Sequence, residues 1–284
     1  MRREWLLGIA STIAASGAAA LAYATQVEPF WLKQLSVDLS LPRWPRELDG
    51  LTVLHLSDMH VAPGNARGID LIRRAVQTTA DLVLMTGDYG DIPEHAPLAA
   101  ELLRPARGRI GTFAVLGNHD YATWPYVPPH RFTERSASAV TAALEATGVT
   151  VLRNQSIHLN VHGHPLWIVG LDDPHTFHDN AERAFVGVPS GATSIALAHS
   201  WEPAPVVAEH GSALLLSGHT HGGQVRLPLL PPPVHNAHRR PTRIGGLFWV
   251  GDMAVSISHG LGGSYKLRFM VRPQAVLFTV RSAS

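Results

Sequence analysis

The sequence predicts an α/β domain in which a sheet built from βαβ units is covered by helices. Three observations carry this. Short apolar runs at 51–56, 82–85 and 113–116 each close on a polar turn. Segments of helical character at 69–79 and 97–103 lie between them. The resulting order of strand, turn, helix and strand is the signature of a helix-covered sheet.

The remaining elements follow in chain order. Residues 28–49 alternate short apolar stretches with Pro29, Pro42 and Pro45, which predicts an extended lead-in with an edge strand at 35–39. A helix is expected at 137–146. Strands are expected at 157–161, 166–170, 194–198, 214–216, 248–250, 255–258 and 275–280, a pattern that predicts a more antiparallel second half. Residues 224–246, with Pro228, Pro231, Pro232, Pro233 and Pro241, read as a long ordered loop.

Composition bounds the function. A chain of 284 residues, 45% apolar and 16% charged, is long enough to bury one large core. The formal charge of +1 gives no concentrated basic face, so no nucleic-acid polymer is expected as a partner. Without cysteine there is no disulfide, thiolate metal site or cysteine nucleophile, so any metal must be held by nitrogen and oxygen. Histidine, at 17 residues, is the compositional outlier.

Arg2 and Arg3 precede an uncharged, Ala-rich run from Trp5 to Ala24, and Ala22-Tyr23-Ala24 supplies a small-x-small cleavage site. Two readings stand: a twin-arginine-like signal cleaved after Ala24, or a retained anchor of about 20 residues. Both place the rest of the chain outside the cytoplasm, at the periplasmic or extracytoplasmic membrane face. The expected organisation is signal or anchor at 1–24, lead-in at 25–49 and a catalytic domain at 50–284.

Ligands of open α/β sheets gather at the carboxyl ends of strands. Five such ends carry metal-capable groups: Asp58-Met59-His60, Gly87-Asp88, Gly117-Asn118-His119-Asp120, Ala198-His199-Ser200 and Gly218-His219-Thr220-His221. Singly, Asp-x-His and Gly-Asp are ordinary turn sequences. In this order, each closing a strand, they point to one polar centre.

These motifs resemble the calcineurin-like metallophosphoesterase superfamily across 51–280. Gly-His-Thr-His-Gly-Gly-Gln at 218–224, Ser-His-Gly-Leu-Gly at 258–262 and the ending at 268–274 resemble its exported or membrane-anchored phosphodiesterases, such as UDP-2,3-diacylglucosamine pyrophosphatase-like proteins. The resemblance implies a four-layer αββα sandwich of two mixed sheets. It implies two divalent cations, manganese first, with iron or zinc as alternatives. Asp58, His60 and His221 would hold one, Asn118, His199 and His219 the other, and Asp88 both. It further implies attack on phosphorus by a hydroxide bridging the two cations, and protonation of the leaving oxygen by His119. Asp91 is expected to hydrogen-bond His119 and so fix its tautomer.

Two departures stand out. His199-Ser200-Trp201-Glu202-Pro203 replaces the His-x-Pro-Asp of many relatives, leaving Trp201 either as a substrate wall or as core packing, and Gln274 replaces an expected Glu. The expected substrate is a phosphodiester or pyrophosphate, lipid-linked or from the cell envelope. Arg226, His238, Arg239, Arg240 and Arg243 flank the apolar loop at 227–234 and would suit an amphipathic phosphate at a membrane surface. The alternatives are a broad phosphoesterase for soluble nucleotides or monoesters and a non-catalytic metal-binding scaffold.

Overall fold

A computed structural model of the chain describes residues 2–122, 132–233, 243–263 and 265–283. In chain order its elements are α1 (Arg2–Ala22), β1 (Lys33–Leu41), β2 (Leu51–Leu56), α2 (Ala66–Ala75), β3 (Ala80–Thr86), α3 (Ala96–Leu103), β4 (Gly108–Val115), α4 (Asn118–Tyr121), α5 (Glu134–Glu145), β5 (Thr150–Val151), β6 (Gln155–Val161) and β7 (His164–Gly170). They continue with α6 (Ala181–Ala184), β8 (Ser194–Leu197), α7 (Ala204–Glu209), β9 (Leu214–Ser217), β10 (Gly246–Val250), β11 (Met253–Ile257) and β12 (Gln274–Ser282).

The strands form two mixed sheets, ordered β1-β12-β2-β3-β4-β5 and β10-β11-β9-β8-β7-β6. Period-two alternation explains how they stack. In β2, β3 and β4, Val53, Leu82, Leu84 and Phe113 face the second sheet, where they meet Ile168, Ile195, Leu197, Leu214 and Leu216. The alternate residues Leu54, Leu56, Val83, Met85 and Ala114 face outward onto α2, α3 and α5. On the far side, Val169, Ala196 and Leu215 pack against α6 and α7. Because the central strands are buried on both faces, they read as unbroken apolar runs. The four-layer αββα sandwich expected from the sequence is the observed architecture.

Two expectations need correction. The second sheet is antiparallel only at its outer pairs, β6 with β7 and β10 with β11, while β7, β8, β9 and β11 run parallel. Short strands imply hairpins only where the connections are tight, and α6 and α7 supply the crossovers that parallel neighbours require. The lead-in is also less extended than expected. Helical geometry continues beyond α1 through Tyr23–Val27 and Glu28–Phe30, with Pro29 near the start of the second turn, where its missing N–H costs nothing. β1 is the predicted edge strand. Of the expected loop at 224–246, residues 234–242, including His238, Arg239 and Arg240, lie outside the described residues.

His55 lies on the inner face of β2, fully buried. Its Nε2–H donates to Thr86 Oγ1 at 2.9 Å, Thr86 donates to Ser57 Oγ at 2.7 Å, and Ser57 donates to Asp58 Oδ2 at 2.5 Å. Burial lowers the His55 pKa to about 3. The unfolded chain therefore takes up a proton near its ordinary pKa of about 6.5 while the folded protein does not, so stability is lost as pH falls. The expected contribution is flat above about pH 6.5 and declines by up to ~1.4 kcal/mol per pH unit toward pH 3. Urea titrations of wild type and His55→Gln across this window would check it; parallel pH dependences would contradict it.

Candidate metal centre

Parallel pairing of β2, β3 and β4 brings their carboxyl ends to one edge, and β8 with β9 does the same in the facing sheet. The turns that follow are tied together by their backbones. Asp58 N–H donates to Gly87 C=O at 3.1 Å, His60 N–H to Asp88 C=O at 3.0 Å, and Gly218 N–H to His199 C=O at 2.8 Å. Across the sheets, the backbone N–H of His219 donates to Asp58 Oδ1 at 3.0 Å, and His199 Nδ1–H donates to Thr86 C=O at 2.7 Å.

The turns are strained as well as tied. Asp58, His60, Asp88, His219 and His221 all have φ between 44° and 67°, a region that non-glycine residues rarely occupy. Clustered left-handed residues of this kind mark functional sites, where surrounding structure overrides local preference. Gly87, at φ +86°, is required for a different reason: a Cβ there would lie 2.6 Å from both Gly117 N and His199 Nδ1.

The side chains converge in two overlapping groups. Asp58, His60, Asp88 and His221 form one, and Asp88, His199 and His219 the other; within each, the candidate ligand atoms lie within 4.8 Å of one another. Asp88 Oδ2 is 3.4 Å from His60 Nε2 and 3.3 Å from His199 Nε2, while His221 Nε2 is 3.6 Å from Asp58 Oδ1. Asn118 and His119 begin α4, and the backbone N–H of His119 donates to Asp88 Oδ1 at 2.9 Å.

The donors fit divalent cations. They are nitrogen and oxygen only, they are buried, and among the described residues Asn118 Oδ1 and His221 Nδ1 have no hydrogen-bond partner. Charge balance agrees. Burial works against a charged Asp88, yet the nearby His199 and His119 and hydrogen bonds from His199 and His60 hold it well below the usual carboxylate range. Burial likewise works against charge on His60, but its hydrogen bonds to Asp88 and Asp91 and their charges raise it to about 10. His221, buried and facing His60 and Arg268, is pushed well down. Carboxylates that hold protons on neighbouring imidazoles are equally suited to hold cations in their place.

Asp91 hydrogen-bonds His119 as expected, but through its backbone rather than its carboxylate. Its main-chain carbonyl accepts from His119 Nδ1–H at 2.9 Å, while its carboxylate lies 3.2 Å from His60 Nδ1. A single turn of helix begins directly afterwards at Pro93. Trp201 stands edge-on to Phe248 at 5.8 Å, beside the outer core of the second sheet. Gln274 is buried at the start of β12, its backbone N–H donating to Gly260 C=O at 3.0 Å.

Three residues at the centre were given no role by the sequence, although Asp120 and Arg268 lie in motifs it singled out. Asp120 accepts from the backbone N–H of Gly117, Asp88 and Tyr89 at 2.8, 2.9 and 3.1 Å, locking the β3 and β4 turns together. Burial and the charge of Asp88 raise its pKa to about 7 against these three bonds. Arg268, 2% exposed, donates to the carbonyls of His259 at 2.9 Å and Gly262 at 2.5 Å, and Gly262 N–H in turn donates to Asp58 C=O. His175 lies against His219, ring centroids 4.7 Å apart. The glycine-rich turn at 258–262 was the one hint that the backbone packs closely here.

Comparison with known proteins places this geometry. The family model described as Calcineurin-like phosphoesterase matches residues 51–223, more than half of the chain. The metallophosphoesterase YkuE of Bacillus subtilis is 26% identical over 100% of this chain and 98% of its own length. Phosphodiesterase YaeI of Escherichia coli is 27% identical, covering 97% of each. UDP-2,3-diacylglucosamine pyrophosphatase LpxG of Chlamydia trachomatis is 25% identical, covering 94% of each.

Removing the Asp120 carboxylate leaves three buried N–H groups without a partner. Asp120→Ala is expected to lower unfolding free energy by about 3 kcal/mol, measurable by urea denaturation. A loss below about 1 kcal/mol would mean that water replaces the carboxylate.

Proposed function

Because the chain belongs to the calcineurin-like phosphoesterase family and is a metal-dependent hydrolase, we propose that it cleaves a phosphodiester or pyrophosphate bond with two cations, on a lipid-linked or cell-envelope substrate outside the cytoplasm. The observation that carries this is the pair of overlapping donor groups sharing Asp88. In this reading Asp58, His60 and His221 hold one cation, Asn118, His199 and His219 the other, and Asp88 both. The cations, manganese foremost, supply polarisation of the phosphoryl oxygens and a lowered pKa for water.

The chain's own groups do the rest. The Asp91 carbonyl holds one proton of His119 on Nδ1, so a second proton taken up on Nε2 is the one the imidazolium directs to the phosphoryl group and gives to the leaving oxygen, returning to the neutral ring. The Asp91 carboxylate orients His60, and the Thr86 carbonyl orients His199, so that each directs Nε2 toward Asp88. Ser57 donates to Asp58 and leaves its other oxygen for coordination.

Substrate class rests on separate features. Leu227, Leu229 and Leu230 are exposed, and Arg226 Nε–H binds the Gly222 carbonyl at 2.9 Å, holding this apolar segment next to the His219–His221 turn. A relative named for a diacylated sugar nucleotide supports a substrate with acyl chains. The apolar α1 supports export or anchorage.

Metal-depleted protein resupplied with Mn²⁺ is expected to hydrolyse bis(p-nitrophenyl) phosphate, and Asp88→Asn to abolish turnover and weaken binding of both metals by calorimetry. Full activity in Asp88→Asn would sink the two-cation assignment. His119→Ala is expected to lower kcat by roughly 10²–10⁴ on esters with a poor leaving group. The loss should be clearly smaller on p-nitrophenyl esters, whose leaving group needs little protonation. Equal losses on both would remove His119 from the role of acid.

A further inference from the structure

The base of α1 is built into the catalytic domain. Ala22 keeps helical geometry at φ −60° and ψ −44°, and the chain runs on through the turn at Tyr23–Val27 without an extended break. Ala24, at the small-x-small site, is only 5% exposed, and its carbonyl accepts from Arg268 N–H at 2.9 Å. Tyr23 stands edge-on to Phe269, and the buried Glu28 accepts from Met270 N–H at 2.9 Å. Arg272 closes the joint, its guanidinium 4.0 Å from the Trp31 ring and bonded to the carbonyls of Trp31 and Leu32. A processing peptidase reads an extended, accessible chain, and none is offered at this site.

Dimensions and chemistry at this joint match a bilayer. The 21 residues of α1 span about 32 Å at ~1.5 Å per residue, against a hydrocarbon core of about 30 Å. No charged residue occurs between Trp5 and Ala22, and the side chains described along that length are exposed. Arg2 and Arg3 begin the helix, the arrangement that keeps this end cytoplasmic. At the opposite end, Trp31, Tyr265, Leu267 and Met270 are all exposed, with Lys266 and Arg272 among them. Aromatic and apolar side chains mixed with cations are the composition of a surface at headgroup depth.

A narrow cleft opens at the same place. Phe30, Ile69, Leu261, Tyr265 and Lys266 line it, and of the candidate metal ligands His60 alone borders it. We propose that α1 is retained as a membrane anchor and that the collar of Trp31, Tyr265, Leu267 and Met270 rests on the bilayer, which holds the candidate metal centre next to the lipid surface. This deepens the phosphoesterase reading and rests on it.

The chain lacks cysteine, so single thiols can be introduced without background. Full-length Leu267→Cys and Met270→Cys, with Val186→Cys on the opposite helix layer as control, carry nitroxide labels in phosphatidylethanolamine–phosphatidylglycerol vesicles. Positions 267 and 270 are expected to be relaxed several-fold more by lipid-dissolved oxygen, relative to an aqueous nickel complex, than position 186. Intact mass of wild type recovered from bacterial membranes is expected to include α1. A mass beginning at Thr25, or labels at 267 and 270 as water-exposed as that at 186, overturns the proposal. Labels shielded from both reagents also overturn it, because they show a protein partner on the collar. Each preparation is assayed with bis(p-nitrophenyl) phosphate and Mn²⁺. Turnover with water-exposed labels sinks the collar alone; interfacial labels without turnover in any preparation sink the phosphoesterase reading.

Discussion

Everything in the molecule converges on the carboxylate of Asp88. It is the side chain common to both donor groups, and three elements meet on it: His60 from the turn after β2, His199 from the turn after β8, and the backbone N–H of His119 at the start of α4. A buried carboxylate is costly unless it is compensated by charge and hydrogen bonds. Here the compensating groups come from both sheets, so the sandwich can close only in the register that completes the centre.

That closure carries strain. Five residues of the two donor groups sit at positive φ, each at a cost of about 1 kcal/mol or more. No contact inside the centre offsets this by itself. It is borne by three apolar cores, whose strands are buried on both faces and hold their carboxyl ends fixed. The polar frame adds to this: Asp120 clamps the β3 and β4 turns, and Arg268 braces the turn that supports Asp58. The centre is therefore rigid on its protein side, which suits a site that must present its donors before any cation arrives.

Much of this was legible in the sequence, for a physical reason. A strand buried on both faces is an apolar run, and a run that ends in Asp, Asn or His declares where the sheet stops and the chemistry begins. Leu51 to His60 and Leu214 to His221 are such passages. What stayed hidden depends on direction rather than residue type. Asp91 was recognisable as a polar partner, but residue type does not tell that its carbonyl meets His119 while its carboxylate faces His60. Asp120 looks like an ordinary helix-start carboxylate until two separate turns are seen to donate to it. Arg268 and His175 gain their roles only through contacts across the fold. The parallel core of the second sheet was missed because strand length alone does not reveal whether a connection turns back or crosses over.

The position of β12 governs how the molecule comes into being. This last strand lies between β1 and β2, pairing Gln274 with Lys33 across 241 positions of sequence (274 − 33), and the preceding segment supplies the Arg268 brace beneath Asp58. Contacts so distant in the chain form late and slowly. During synthesis the first sheet stands open along the flank of β2 until β12 has emerged. A chain truncated before β12 thus lacks the strand that joins β1 to β2. The centre therefore depends on a strand that follows the last of its ligand residues, His221, by more than fifty positions.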